Sequence, residues 1–266
     1  MGRTWLAVPR DWIASFGEIM KFCGRILGQV GSLRVFRFSG EALRQAGILI
    51  LSSTLVIWGL VFIIGLQCGI EGAYFTRSVG APPYAGVFAA WCDLRELVPY
   101  AFGYMMAAKV GTGIVAELGS MRISDEIDAL EVMGIDSVLF LCATRLLAAW
   151  LVLPFMYLAG VGAGFFASYL AIVQQIGDVS SGGFFLIFWL FQNPTDLVYS
   201  VIKGMSMATV IVLVGCYYGY NASGGPVGVG TATAKSMVLN IVLVHLIGML
   251  GTQLFWGANP RAPIGG

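Results

Sequence analysis

An all-α integral membrane protein is the fold class that this sequence predicts, and three observations predict it. Hydrophobic residues make up 58% of the 266 and charged residues only 11%, under half the roughly 25% charge of a soluble domain. Mean hydropathy is +0.84. Several apolar runs reach the 18 or more residues that a membrane-crossing helix needs.

The elements follow in chain order. Residues 1–44 precede the first apolar run and hold seven of the fifteen Lys and Arg residues: Arg3, Arg10, Lys21, Arg25, Arg34, Arg37 and Arg44. So long a basic region does not suit a secretory signal. From Trp12 to Phe38, apolar positions (Trp12, Phe16, Ile19, Cys23, Ile26, Val30) recur every three or four residues, with Lys21, Arg25 and Arg34 on other sides. This predicts an amphipathic interfacial helix whose basic face suits an anionic leaflet; a helix packed on a protein partner is the alternative. Residues 45–257 read as a five-span domain. Span one, QAGILILSSTLVIWGLVFIIGLQCGI from Gln45 to Ile70, is uncharged. Span two runs from Tyr84 to about Gly113, interrupted by Asp93–Glu96 and Lys109. Span three covers Leu139 to Val173, with Arg145 at its start and Pro154 inside. Gly182 to Phe191 is apolar but too short to cross. Span four covers Leu197 to Tyr220, NASGGPVGVG reads as a Gly-rich loop, Met237 to Trp256 forms span five, and residues 258–266 form a tail.

Basic residues near span ends set orientation. With the N-terminus in the cytoplasm, the inner parts hold the seven early cations plus Arg122 and Lys235, flanked by Lys109 and Arg145. The outer parts hold Arg77 and Arg261. The C-terminus is then extracytoplasmic, and the segment between spans two and three is cytoplasmic.

That segment, AELGSMRISDEIDALEVMGIDS from Ala116 to Ser137, holds six of the chain's fourteen acids. Ser124 is placed to cap a helix whose first turn carries Asp125 and Glu126. Ile123, Ile127, Leu130 and Gly134 share one stripe; Asp125, Asp128 and Glu131 share another arc. Such a helix fits a partner's groove, and equally well merely turns the chain. Without His or Cys beside them, the carboxylates do not suggest a metal centre or acid–base catalysis. A second constellation, CDLRELVPY from Cys92 to Tyr100, puts Asp93, Arg95 and Glu96 inside a span. Charges there usually face a protein interior or cavity, and an arginine fork suits phosphate or carboxylate; an ion pair tying two helices is the alternative. Lys109 and Lys203 read as snorkelling span-end residues, and His245 as a structural histidine. The five cysteines show no metal-type spacing. GTATAKS, Gly230 to Ser236, lacks the glycine before Lys235 and the strand that a phosphate loop requires, so any ATPase is expected on another polypeptide.

The run RELVPYAFGYMMAAKVGTGIVAELGSMRISDEIDALEVMGID (Arg95 to Asp136) resembles the signature region of the MlaE/YrbE permeases, membrane subunits of MCE-type lipid ABC transporters. DLVYSVIKGMSMA (Asp196 to Ala208) and GCYYGYNASGGPVGVGTATAKSMV (Gly215 to Val238) extend the resemblance over most of residues 45–257. It implies an interfacial helix followed by five spans in the cytoplasmic membrane. It also implies that the acidic segment, at about 117–136, is the coupling helix, with Glu117, Arg122, Asp125, Glu126, Asp128 and Glu131 docking on a cytoplasmic ATPase dimer. ATP and Mg would be bound there, with no cofactor or catalytic residue in this chain. Lipid-cavity positions carry over to Arg95 and Glu96, with Leu66 and Ile70 on span one and Tyr100 beside them. Ser137, Thr144-Arg145 and Ala108-Lys109-Val110 depart from the common pattern and resemble the B-type YrbE subunit of actinobacterial MCE systems. There a heterodimer with an A-type permease is expected, beneath extracytoplasmic MCE proteins and importing fatty acid, phospholipid or sterol. A proton-coupled secondary transporter and a structural membrane anchor are the rival readings.

Overall fold

The computed structural model describes residues 7–32, 34–258 and 263, with side chains from residue 16 onward. The side chains of Arg10 and Trp12, together with Arg3, Arg261 and most of the 258–266 tail, lie outside the described residues. Among the described residues the regular structure is helical, without strands.

Nine α-helices follow one another among the described residues: α1 Ala7–Gly31, α2 Ser39–Ser78, α3 Val98–Met105, α4 Thr112–Ile123, α5 Glu126–Val132, α6 Thr144–Tyr169, α7 Ser181–Phe191, α8 Pro194–Tyr220 and α9 Gly225–Trp256. By length and composition four helical stretches among the described residues can cross a membrane: Arg34–Ser78, Leu139–Ile176, Pro194–Tyr220 and Gly225–Trp256. Span two takes a different form. It is helical from Phe88 to Ile123, but π-helical turns at Phe88–Leu97 and Met106–Gly111 alternate with α3 and α4. Such wide turns often occur at functional positions, and the first carries Asp93, Arg95 and Glu96.

Two expectations need correction. The interfacial helix stops at Gly31, and a 3₁₀ turn, Arg34–Phe38, leads into α2. The Gly-rich loop is short, because α9 begins at Gly225 and takes up most of NASGGPVGVG. GTATAKS therefore sits inside α9, where its backbone N–H groups belong to the helix.

The chain divides into two compact units, and the division cuts through helices. One comprises Met1–Ile48, Val110–Ala149 and Thr209–Asn240. Its core includes Ile26 of α1, Val115 and Leu118 of α4, and Ile127 of α5, all at 0% exposure. Phe22 of α1 meets the rings of Tyr217 and Tyr220 on α8 at 5.7 and 5.5 Å. Gly215 and Gly219 bring α8 against Gly111 and Leu118; a Cβ on Gly219 would lie 2.8 Å from that of Leu118.

The other unit comprises Leu49–Lys109, Trp150–Ala208 and Ile241–Gly266. Here Gly65 and Gly69 of α2 pack on Gly164 and Ser168 of α6 without room for a side chain, the close approach that small residues permit between spans. Phe102 stands edge-on to Tyr157 at 5.1 Å. A second cluster joins Ala85, Ala89 and Ala90 to Phe184, Phe188 and Phe191 of α7.

Candidate functional site

Four charged side chains converge in the second unit. Arg95 Nη2 donates to Asp196 Oδ2 at 2.6 Å, and Trp256 Nε1 donates to Asp196 Oδ1 at 2.9 Å. The Arg95 guanidinium lies over the Trp91 ring at 4.1 Å and near that of Trp256 at 5.4 Å. Aromatic faces attract a cation, which offsets part of its cost inside a span. Lys203 Nζ donates to Glu96 Oε2 at 2.8 Å, Arg95 O at 2.9 Å and Thr252 Oγ1 at 2.8 Å. Thr252 in turn donates to Glu96 Oε1 at 2.6 Å. Tyr100 closes this end, its ring 5.2 Å from Lys203 Nζ.

The π-helical turn, α8 and α9 supply these groups, each for a local reason. Asp196 and Lys203 are seven residues apart on α8, two turns, and so share a face. Gly251 lets α9 approach the Lys203 stem, since a Cβ there would meet Lys203 Cγ at 3.3 Å. Next to Arg95, Asp93 is fully buried and hydrogen-bonded to Ser168 Oγ, which also donates to Gly65 O at 2.8 Å. The result is a charge-balanced polar site in an apolar setting: two cations, two anions, with Glu96 the most exposed at 35% of its side chain. It can present a carboxylate and part of a guanidinium to a polar headgroup.

Of the expected cavity residues, Arg95, Glu96 and Tyr100 meet at this site. Leu66 and Ile70 lie half-buried on α2. The reading of Lys203 as a snorkelling residue is overturned: its side chain is 0% exposed and paired. Snorkelling needs a path to the interface, whereas Lys203 is enclosed by Glu96, Thr252 and Tyr100. Asp196, Trp256 and Thr252 were also missed. The seven-residue spacing of Asp196 and Lys203, opposite in sign to Arg95 and Glu96, was a signal that could have found two of the four charges. Tyr104 donates to or accepts from His245 Nε2 at 2.9 Å, and His245 Nδ1 meets Ile241 O at 2.8 Å, so the histidine is fully engaged with local groups.

The acidic segment belongs to the first unit and is not a single helix. α4 ends at Ile123, Asp125 adopts left-handed φ of 59°, and α5 begins at Glu126. Ser124 is not the N-cap of α5. Its hydroxyl donates to Ser120 O at 3.0 Å and Glu126 Oε1 at 2.9 Å, closing α4 instead. α5 ends in a Schellman turn, with Gly134 N bonded to Glu131 O at 2.9 Å and Ile135 N to Leu130 O at 3.0 Å, and with Gly134 at φ 76°.

Most charges here are already spoken for. Glu117 pairs with buried Arg145 at 2.7 Å, and Arg122 with Asp128 at 2.5 Å. Glu131 accepts from Ser137 Oγ at 2.7 Å and Tyr220 OH at 3.1 Å. Those bonds hold its carboxyl below the usual glutamate range. Arg25 and Gln29 of α1 donate to Asp136 at 3.1 and 2.8 Å. Of the expected apolar stripe, Ile127 is fully buried, while Val132 and Met133 outside that stripe are 89% and 66% exposed. The segment thus presents an exposed Asp125–Glu126 corner and an apolar Val132–Met133 tip.

Residues 42–254 match the family described as Permease MlaE. A probable ABC transporter permease protein of Rickettsia bellii is 32% identical over 162 residues, which covers 61% of this chain and 62% of that protein. The match thus spans about three fifths of the Rickettsia relative's length. The Arabidopsis thaliana protein Trigalactosyldiacylglycerol 1, chloroplastic, is 29% identical over 217 residues, 81% of this chain and 59% of its own length. The intermembrane phospholipid transport system permease protein MlaE of Haemophilus influenzae is 25% identical over 262 residues, covering 94% of this chain and 99% of that one.

Proposed function

The chain belongs to the MlaE permease family and is a multi-pass protein of the cytoplasmic membrane; from that premise we propose that it is the membrane subunit of an ATP-driven lipid transporter. One observation carries the reading: the paired charges of Arg95, Asp196, Lys203 and Glu96 inside apolar helices. Ionisable groups within spans are costly and commonly mark a substrate path. In this reading Arg95 and Glu96 engage a lipid headgroup, Tyr100 flanks it, and Leu66 and Ile70 of α2 border the acyl part. The Haemophilus relative is named for intermembrane phospholipid transport, which supports a phospholipid among the candidate lipids.

ATP and Mg are handled by a separate cytoplasmic ATPase dimer, which docks on Glu117, Arg122, Asp125, Glu126, Asp128 and Glu131. The exposed Asp125–Glu126 corner and the Val132–Met133 tip support that role. The helical run from Phe88 to Ile123 joins the docking segment covalently to the turn that bears Arg95 and Glu96. A push on α5 therefore has a continuous path toward them. The N-terminus is cytoplasmic and the C-terminus extracytoplasmic. The partners are an A-type YrbE permease, this chain being the B-type, and extracytoplasmic MCE proteins, with lipid moving inward.

Glu96→Ala tests the site. The complex is expected to assemble with its ATPase at a lowered thermal midpoint, because Lys203 loses its carboxylate partner, while lipid transport per assembled complex falls by about tenfold or more, the loss expected when a charged contact to the headgroup goes. Undiminished transport in an intact complex would remove Glu96 from the lipid path and favour the anchor reading.

A further inference from the structure

Apart from the charged site, the second unit carries an apolar groove of about 910 Å³. Its walls come from α6, α7 and the start of α8. Its aromatic floor is formed by Tyr169, which stands edge-on to Phe184 at 5.4 Å, and by Phe184, which stacks on Phe188 at 5.7 Å. Phe166, Phe185 and Trp189 form an exposed rim, at 57%, 45% and 67%.

Gly162 lines the groove, and a Cβ built there meets nothing within 4 Å, whereas Gly164, on the opposite side of α6, packs against Val98 at 3.2 Å. Gly164 is thus a packing glycine, and Gly162 leaves space open. Its polar edge is uncharged: Gln192 donates to Ala90 O at 3.4 Å, and Asn193 Oδ1 accepts from Thr195 N at 2.9 Å.

We propose that this groove binds one acyl chain of a membrane glycerophospholipid, as a site distinct from the Arg95–Glu96 cluster. α6 and α8 are both long and apolar enough to cross the membrane, so a groove between them is within reach of the acyl chains that surround a membrane-spanning helix. Its size and lining match small-molecule pockets, which are commonly about 300–1,000 Å³ and mainly apolar with a few polar groups. Trp189 on the rim and Tyr169 in the floor are aromatic side chains of the kind that settle at headgroup level. No lining residue is charged, so the groove holds the chain by apolar contact and selects no headgroup charge. This assignment requires only that the helices cross the membrane, and holds whether or not the charged cluster carries cargo.

The test is photo-crosslinking of the membrane-embedded complex with phosphatidylcholine bearing a diazirine near its acyl terminus, read by peptide mass spectrometry. Labelling is expected to concentrate on residues 165–169 and Ser181–Phe191, above that on the exposed apolar residues Leu51, Leu55 and Leu254. Gly162→Phe should fill the groove without displacing a neighbour. It is expected to cut that labelling about tenfold and leave the thermal midpoint unchanged. Labelling as strong on Leu51 and Leu254 as in the groove would mean ordinary lipid contact and overturn the proposal, even if Gly162→Phe fails to fold. Undiminished labelling of folded Gly162→Phe overturns it too. A diazirine fatty acid of equal chain length should label no more strongly than the phospholipid; stronger labelling would overturn the choice of phospholipid.

Discussion

Lys203 is the residue on which the site depends most. Its ammonium is enclosed and holds Glu96, Arg95 O and Thr252. Removing one partner of a buried pair costs about 3–5 kcal/mol, while replacing both with apolar groups is often neutral. Lys203→Met is therefore expected to lower the thermal midpoint of the complex sharply. Lys203→Met with Glu96→Leu should restore stability and still fail in lipid transport, so thermal unfolding and transport assays separate the two roles. Glu131 gives a pH-dependent counterpart. Its bonds from Ser137 and Tyr220 depress its folded-state pKa, so its contribution is present above the ordinary glutamate range. It is lost as pH falls through the depressed value. Protection of the α5 amides, measured relative to the intrinsic exchange rate at each pH, should fall on acidification in the native protein, and Glu131→Gln should remove that dependence. The sequence showed Arg95 and Glu96 because two charges interrupt a span side by side. It hid Lys203 because a single lysine near a span end looks the same whether it snorkels or pairs, and only its face relative to Asp196 distinguishes the two.

The acidic segment shows what an element's sequence reveals and what it conceals. Its helical character was legible from the spacing of Ile127 and Leu130, and Gly134 marked the end. The break at Asp125 was not legible, because left-handed φ at a non-glycine residue is uncommon although aspartate tolerates it better than most. Placing Ser124 as an N-cap followed the usual preference, but the hydroxyl satisfied the end of α4 first. In the same way, NASGGPVGVG looked like a loop from its glycine content, yet α9 absorbs most of it, since packing overrides weak intrinsic propensity. In the proposed docking role, the exposed corner and tip lead the contact, while Asp128 and Glu131 both take part in it and hold the segment's shape. Reversing the charges of Asp125, Asp128 and Glu131 together should reduce ATPase co-purification. Val132→Asp with Met133→Asp should do so without disturbing Ser137 or Tyr220. Unchanged co-purification in both variants would contradict docking at α5.

At the scale of the molecule, composition and uninterrupted apolar runs made the membrane fold legible. Four of the expected spans coincide with helices able to cross. Span two kept its place but not its regularity: its charges are accommodated by π-helical turns that local periodicity does not announce. The charged site was only half legible for a related reason, since the α8 and α9 side chains that complete it lie more than 100 residues from Arg95 and Glu96. What unites these features is the proposed ATP-driven movement of lipid past Arg95 and Glu96. The most direct test is fluorescent phospholipid transfer by proteoliposomes holding this permease with its proposed partners: a second permease, an ATPase and extracytoplasmic lipid-binding proteins. The account predicts transfer that requires ATP and Mg and falls by about tenfold or more in Glu96→Ala, with the complex still assembled. Transfer that proceeds equally without ATP, or that Glu96→Ala leaves unchanged, would contradict it.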